Sequence, residues 1–140
     1  MKLYVAYGSN LNKRQMKKRC PKSSPVTTGI LKDWTLIYRG ESSGTYATIQ
    51  KQTGAFVPVA LWEIHPEDEK ALDEYEAYPS LYGKYDITVT LEDGSETTGM
   101  VYIMTEDAVP GQPSEEYIQA IREGYADFQL DLSVFETSLK

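Results

Sequence analysis

The chain contains one cysteine and one histidine, and each scarcity excludes a kind of chemistry. With Cys20 alone no internal disulfide can form, and a lone thiol suits a reducing, cytoplasmic setting. One Cys and one His give neither a paired-cysteine metal site nor a His-Glu-x-x-His helix, and no Asp/Glu spacing resembles a calcium loop. No metal and no cofactor are therefore expected. Apolar residues never run long enough to cross a bilayer, and Met1-Lys2 leads straight into a strand pattern with no secretory signal before it. Basic residues are in the minority, 14 against 21 acids, for a net charge of −7. That balance argues against nucleic acid and anionic membrane as partners, since both demand clustered Lys and Arg. The one basic run, Lys13-Arg14 with Lys17-Lys18-Arg19, reads as the solvated face of a short helix. Repeats, low-complexity tracts and long linkers are also missing, so residues 1–140 read as one domain, large enough for a single core. Its oligomeric state cannot be read from these features.

What is present is a strand-rich pattern with helices between and after the strands. Leu3 to Tyr7 predicts a short buried strand that stops at Gly8-Ser9-Asn10, residues suited to a turn and a helix cap. Asn12 to Arg19 predicts a short helix, ended by Cys20-Pro21. Strands are expected over Pro25–Tyr38 and Thr45–Gln50, separated by Gly40-Glu41-Ser42-Ser43-Gly44, and again over Ala55–Ile64. Pro66 opens a helix at the position where a proline costs nothing, with His65 as its cap. Tyr85–Leu91 and Thr97–Met104 flank Glu92-Asp93-Gly94-Ser95, a hairpin signal. Pro110 to Pro113 is a loop, Ser114-Glu115-Glu116 starts a helix reaching about Phe128, and Leu130–Leu139 suits a short terminal helix. About six strands plus helices indicate an α+β fold with a mixed or antiparallel sheet, which could curl into a small barrel.

Two stretches could carry chemistry. On the helix from Pro66, at about 100° per residue, Glu76 falls roughly 40° from Leu72 and shares its buried stripe with Tyr75, whereas Lys70 and Glu74 point to solvent. A carboxylate turned inward without an obvious Arg partner has its pKa raised by desolvation, which makes a proton shuttle near neutral pH. A structural acid accepting hydrogen bonds at a sheet rim fits the same geometry. At the first strand end, Gly8 lets backbone approach a ligand, and amides at a helix start can hold an anionic oxygen, although ordinary turn chemistry uses the same residues. Ser9 lacks a nucleophile frame, and His65 before Pro66 is better placed as a cap than as a base. Cys20 reads as an inert thiol. The 11 tyrosines suit a polar-ligand cavity, and also suit strands, which would explain at least half of them.

Several segments in order and spacing resemble the γ-glutamyl cyclotransferase (AIG2-like) family, in particular bacterial butirosin-pathway-like members. They are Tyr4-Val5-Ala6-Tyr7-Gly8-Ser9-Asn10-Leu11, Gln15 to Pro21, Ala71-Leu72-Asp73-Glu74-Tyr75-Glu76, Tyr82 with Lys84, Val101 to Met104, and Pro113-Ser114 with Tyr117, Ile121 and Gly124. The resemblance covers nearly the whole chain, with one departure: many relatives have Gly after the glutamate, where this chain has Ala77. It implies a small β-barrel with surrounding helices and a cavity at its mouth. It also implies cyclisation of a γ-glutamyl amine or γ-glutamyl amino acid to 5-oxoproline, releasing the free amine. The catalytic residue would be Glu76, and the substrate-binding residues Tyr7, Gly8, Ser9, Asn10, Leu11, Tyr82 and Tyr117. A tethered nucleophile needs only proton transfer, so one Glu suffices without metal or cofactor. Two other functions compete: a non-catalytic module that binds a γ-glutamyl metabolite, and a related amide hydrolase or acyl transferase yielding free glutamate.

Overall fold

The computed structural model describes residues 2–41 and 44–140; Met1, and Ser42 and Ser43 of the expected Gly40–Gly44 loop, lie outside the described residues. Six strands are present: β1 (Lys2–Ala6), β2 (Ser24–Glu41), β3 (Gly44–Ile64), β4 (Tyr82–Leu91), β5 (Glu96–Met104) and β6 (Val109–Pro110). Four helices accompany them: α1 (Lys13–Arg19), α2 (Pro66–Tyr75), α3 (Glu115–Asp127) and α4 (Ser133–Ser138).

The sheet runs β3-β1-β5-β4-β2, and β2 pairs back onto β3, which closes five strands into a barrel with β6 on the flank of β2. β1 pairs parallel with β5, and the other pairings are antiparallel. Closure removes the exposed edges that an open sheet would present. Gly29 stands where β2 is paired on both edges, with Val59 of β3 on one side and Leu91 of β4 on the other. A Cβ there would lie 2.6 Å from the Thr90 carbonyl oxygen, so the corner requires glycine.

The expected strand count is correct, but its membership differs. Thr45–Gln50 and Ala55–Ile64 are one strand, because pairing with β2 resumes on both sides of an irregularity in which residues 52–55 stand opposite Asp33. There Asp33 takes φ 66° and its carboxylate accepts the Gly54 amide at 2.9 Å, so a side chain replaces the missing ladder bond. The sixth strand is the two-residue β6, which meets the expected Pro110–Pro113 loop at Pro110.

β1 lies between β3 and β5. Tyr4, Val5 and Ala6 are all buried, so both of its faces are covered, which is why its sequence does not alternate. Val5, Leu31, Val57, Val59, Leu61, Val89 and Val101 are fully buried barrel residues. Outside the barrel, Trp62 meets Phe128 edge-to-face at 5.7 Å, and Tyr125 packs on Phe135 at 5.3 Å, bringing α3 and α4 onto the sheet. Leu72 anchors α2 in the same way. The exposed side of α2 is tied down by charge: Lys84 Nζ lies 2.8 Å from Glu69 and 3.0 Å from Asp73, and the Tyr102 hydroxyl donates to Asp73 at 2.7 Å. No helix among the described residues is long and apolar enough to cross a membrane.

Candidate active site

β1 carries the chain to the barrel mouth, where Gly8 turns it into a 3-10 turn over Ser9–Leu11. The Leu11 amide bonds the Gly8 carbonyl and the Asn12 amide bonds the Ser9 carbonyl, while the Asn12 side chain caps α1 by accepting from the Gln15 amide. The first amides of such a turn have no acceptor within it, so Ser9 and Asn10 present N–H groups as helix starts do. Gly8 has φ −126° and ψ −130°, outside the ordinary α and β regions, and a Cβ on it would stand 3.5 Å from the Tyr117 hydroxyl. Glycine therefore serves the turn's backbone conformation, while a Cβ would make only ordinary contact with the groups above it.

Helix α2 ends on the same space. Its last residue is Tyr75, and Glu76 is the residue that caps it, its amide bonded to the Leu72 carbonyl at 2.8 Å. The next residue, Ala77, takes φ 51°, the left-handed conformation in which helices commonly stop. This differs from the helix-stripe reading in two respects. Glu76 faces inward from a cap rather than from the helix body, and Tyr75 is largely exposed instead of core. The Tyr75 hydroxyl nevertheless reaches back to Ser9 Oγ at 2.9 Å, linking the helix end to the loop.

Between these two elements lies a cavity of about 210 Å³. Tyr4, Tyr7, Gly8, Ser9 and Asn10 line it from the β1 side, Tyr75, Glu76 and Ala77 from α2, and Glu41, Tyr46 and Ala47 from the β2–β3 hairpin. Leu81, Tyr82, Tyr102 and Tyr117 complete the wall. Seven of the chain's 11 tyrosines are in that lining, and six of the 11 lie in strands; Tyr4, Tyr46, Tyr82 and Tyr102 do both, so the cavity and strand readings overlap. Their hydroxyls are committed: Tyr7 donates to the Tyr102 carbonyl at 2.7 Å, and Tyr82 to the Ala47 carbonyl at 2.6 Å. The Tyr117 hydroxyl accepts the Ala47 amide at 2.9 Å and so keeps its own proton to donate.

Glu76 is the chemically distinctive group. Although part of the residue opens to the cavity, its carboxyl sits deep among protein atoms, and burial raises its pKa to about 7, with Arg19 pulling the other way. Asn10 Nδ2 donates to Glu76 Oε1 at 3.3 Å and to the Tyr4 hydroxyl at 2.8 Å. A carboxyl raised to about 7, lining a cavity beside the Gly8–Asn10 turn, can take a proton and return it.

Of the residues read from the sequence, Tyr7, Gly8, Ser9, Asn10, Glu76, Tyr82 and Tyr117 come together around this cavity. Leu11 does not: its side chain is fully buried against α3, where a Cβ on Gly124 would lie 2.6 Å from Leu11 Cβ. It braces the loop from behind. Cys20 is buried, its thiol pushed up to about 12 by burial and then by Asp68, so it is protonated and inert. His65 caps α2, its amide bonded to Asp68 at 3.0 Å. The reading missed Arg19. Lys13, Arg14, Lys17 and Lys18 form the exposed face expected of the basic run, but Arg19 turns inward and stacks 3.5 Å over the Tyr75 ring. Its place three residues after the buried Met16 was the available signal.

Fold and site together define a class: a small closed barrel with one enclosed acid at an aromatic, amide-bearing mouth, suited to proton transfer on a small polar ligand. Comparison with known proteins narrows it. The family model for "Gamma-glutamyl cyclotransferase, AIG2-like" matches residues 4–123. Gamma-glutamylcyclotransferase of Bos taurus is 32% identical over 139 residues, covering 93% of this chain and 73% of that protein. A solved gamma-glutamyl cyclotransferase superposes with a TM-score of 0.88 at 27% identity, over 98% of this chain and 85% of that one. The crystal structure of an uncharacterized protein from Homo sapiens gives 0.89 at 28%, with the same coverage. The chain belongs to the γ-glutamyl cyclotransferase, AIG2-like family.

Proposed function

We propose that the chain is a γ-glutamyl cyclotransferase whose acid–base residue is Glu76, with the Tyr7–Asn10 loop as its substrate cradle. The observation that carries the reading is one carboxyl, raised to about 7, lining a cavity together with a glycine-led turn whose Asn10 side chain meets it. The substrate's α-ammonium gives one proton to the Glu76 carboxylate, and the freed amine attacks its own γ-carbonyl carbon. A C–N bond forms and the carbonyl electrons move to oxygen, where amides of the Ser9–Asn10 turn stabilise the charge. Glu76 then returns its proton to the leaving nitrogen as the old C–N bond breaks. The second proton of the ring nitrogen ends on the departing amine, leaving neutral lactam and an ammonium product. Tethering of nucleophile to electrophile supplies the proximity, which explains why a single acid is enough. Tyr82 and Tyr117 act as walls, with the Tyr117 hydroxyl as a donor. Leu11 is assigned to support rather than contact. Cyclisation in a single-domain, cytoplasmic enzyme agrees with the buried free thiol of Cys20, which needs no oxidising compartment.

The test is release of 5-oxoproline from a panel of γ-glutamyl amines and γ-glutamyl amino acids by wild type and Glu76→Gln. Turnover by the wild type and a loss of at least about a hundredfold in kcat for the variant are expected, the scale of a removed acid–base group. Full turnover by a folded Glu76→Gln refutes the assignment. Tight binding without consumption would make the chain a binding module, and free glutamate as product would make it a hydrolase.

A further inference from the structure

We infer that Arg19 is a positioning residue for this chemistry, holding the Asn10 amide so that its N–H₂ edge faces Glu76. The inference rests on the cyclotransferase reading of the site, and concerns a residue that does not line the cavity. Arg19 lies in the last turn of α1 and is half-buried. Its guanidinium does three things at once. One nitrogen donates to Asn10 Oδ1, another to Gln15 Oε1 at 3.3 Å, and the plane stacks on the Tyr75 ring at 3.5 Å.

The consequence for Asn10 is orientation. With Oδ1 fixed by a cation, Nδ2 must point the other way, and there it meets Glu76 Oε1 and the Tyr4 hydroxyl. An unclamped amide could flip and offer its oxygen to the carboxylate, which is repulsive when Glu76 is ionised. Stacking on Tyr75 adds a second restraint, because Tyr75 is the residue before Glu76 and its hydroxyl meets Ser9. Arg19 thus joins the two halves of the site, the loop and the α2 cap, from outside. Lysine could supply the charge, but not a flat fork that donates twice and stacks.

Arg19 also tempers the carboxyl. The groups coupled to Glu76 are Tyr4 and Tyr7 from β1 and just after it, Tyr82 from β4, Tyr117 from α3 and Arg19 from α1. Glu41, Tyr46, Tyr75 and Tyr102 line the same cavity. Burial and Glu76 itself push the first four tyrosines upward, so they stay neutral through the working range. Arg19 is accordingly the charge among them that favours the ionised acid.

The test separates orientation from charge with Arg19→Lys and Arg19→Ala. Glu76 is followed by ¹³C NMR titration of side-chain-labelled protein, which needs no substrate, and kcat and KM are measured across pH on the best γ-glutamyl substrate. For Arg19→Ala the Glu76 midpoint should rise above wild type, and the acid limb of kcat/KM should move up with it. For Arg19→Lys the midpoint should stay near wild type, while kcat falls at least about tenfold with little change in KM. If Arg19→Ala fails to fold, Arg19→Lys with Asn10→Ala settles the matter: the clamp predicts that the double variant is no worse than Asn10→Ala alone. A folded Arg19→Ala with an unmoved midpoint, an Arg19→Lys at full kcat, or additive losses in the double variant overturns the inference. Absence of 5-oxoproline from the wild type would instead remove the cyclotransferase reading, and leave the NMR result to judge the clamp.

Discussion

A carboxyl held near pH 7 by burial costs stability, and the cost has a definite pH signature. Below about 4.5 the Glu76 carboxyl is protonated in both folded and unfolded chains, so its burial carries no ionisation penalty. Between about 4.5 and 7 the unfolded chain releases the proton while the folded chain keeps it, so stability falls as pH rises. Above pH 7 the penalty is complete. A displacement of about 2.5 pKa units corresponds to roughly 3 kcal/mol at 1.36 kcal/mol per unit. Replacing Glu76 by Gln keeps the shape and an oxygen to accept from Asn10, but removes the charge. Allowing for the weaker neutral hydrogen bond, Glu76→Gln should be more stable than wild type by about 1–3 kcal/mol at pH 8.5. At about 2.1 cal/mol/K of unfolding entropy per residue, that is roughly 3–10 °C in Tm for a chain of this length. At pH 4 the two proteins should melt together. The assay is calorimetry of both proteins from pH 4 to 9, beside their 5-oxoproline activity. A variant that is inactive yet more stable only at high pH is the expected pattern of an acid kept for function at structural expense. Equal melting at every pH, or a less stable variant at pH 8.5, would refute the reasoning.

Three further outcomes follow from particular contacts. Ala77→Gly should be neutral or stabilising, by up to about 1 kcal/mol in denaturant unfolding, because Ala77 holds φ 51° at about 1–2 kcal/mol while glycine's greater unfolded entropy offsets part of the gain; a clear loss of stability would contradict it. Gly124→Ala would ordinarily help a helix, but its Cβ would lie 2.7 Å from the Leu11 carbonyl carbon and 2.8 Å from the Asn12 nitrogen. Because backbone cannot yield as a side-chain tip does, chemical unfolding should show a loss of about 1–3 kcal/mol, and KM should rise as the loop shifts. The described cavity lining holds no Lys, Arg or His and carries Glu41 with the acid itself, so a cationic leaving group should outcompete an anionic one. A γ-glutamyl diamine should give a kcat/KM at least about tenfold above γ-glutamyl-glutamate, Glu41→Gln should narrow the ratio, and a preference for the dianionic substrate would sink the idea.

Much of this site is legible in the sequence because its parts are local signals. Gly8-Ser9-Asn10 after a buried strand, and a Glu following Leu72 by one turn, are each written within a few residues. Pairing them across the 66 positions from Asn10 to Glu76 was beyond local pattern; only the family resemblance joined them. The strand error has the same origin. Lys51-Gln52-Thr53-Gly54 looks like a break because it is polar, and the ladder is interrupted after Lys51, yet Asp33 of the partner strand accepts the Gly54 amide and pairing resumes at Phe56. Arg19 was misread for a related reason: four of five neighbouring cations are solvated, and composition cannot say which one turns inward. Leu11 was read as a ligand contact because it is contiguous with the loop, whereas successive residues of a 3-10 turn point about 120° apart and its side chain falls on the buried side, against Gly124 of α3.

The tyrosines show why one acid can be tuned without other charges lining its pocket with it in close pairs. A wall of Phe or Leu would desolvate Glu76 equally well, but would leave the strand backbone at the cavity rim exposed where no partner strand reaches it. Here the rings exclude water while the hydroxyls bind that backbone: Tyr82 and Tyr117 take the carbonyl and amide of Ala47, and Tyr7 takes the carbonyl of Tyr102. Each ring therefore serves twice, as low-dielectric filler and as a fixed hydrogen-bond partner. Because their hydroxyls are raised well above 10 by burial and by Glu76, they cannot ionise in competition with it. The polar groups that line the cavity are then chiefly the turn at Ser9 and Asn10, the Tyr117 hydroxyl, Glu41 and the Glu76 carboxyl. That is close to the minimum a cyclising amide requires: something to hold its oxygens, and something to carry one proton from one nitrogen to another.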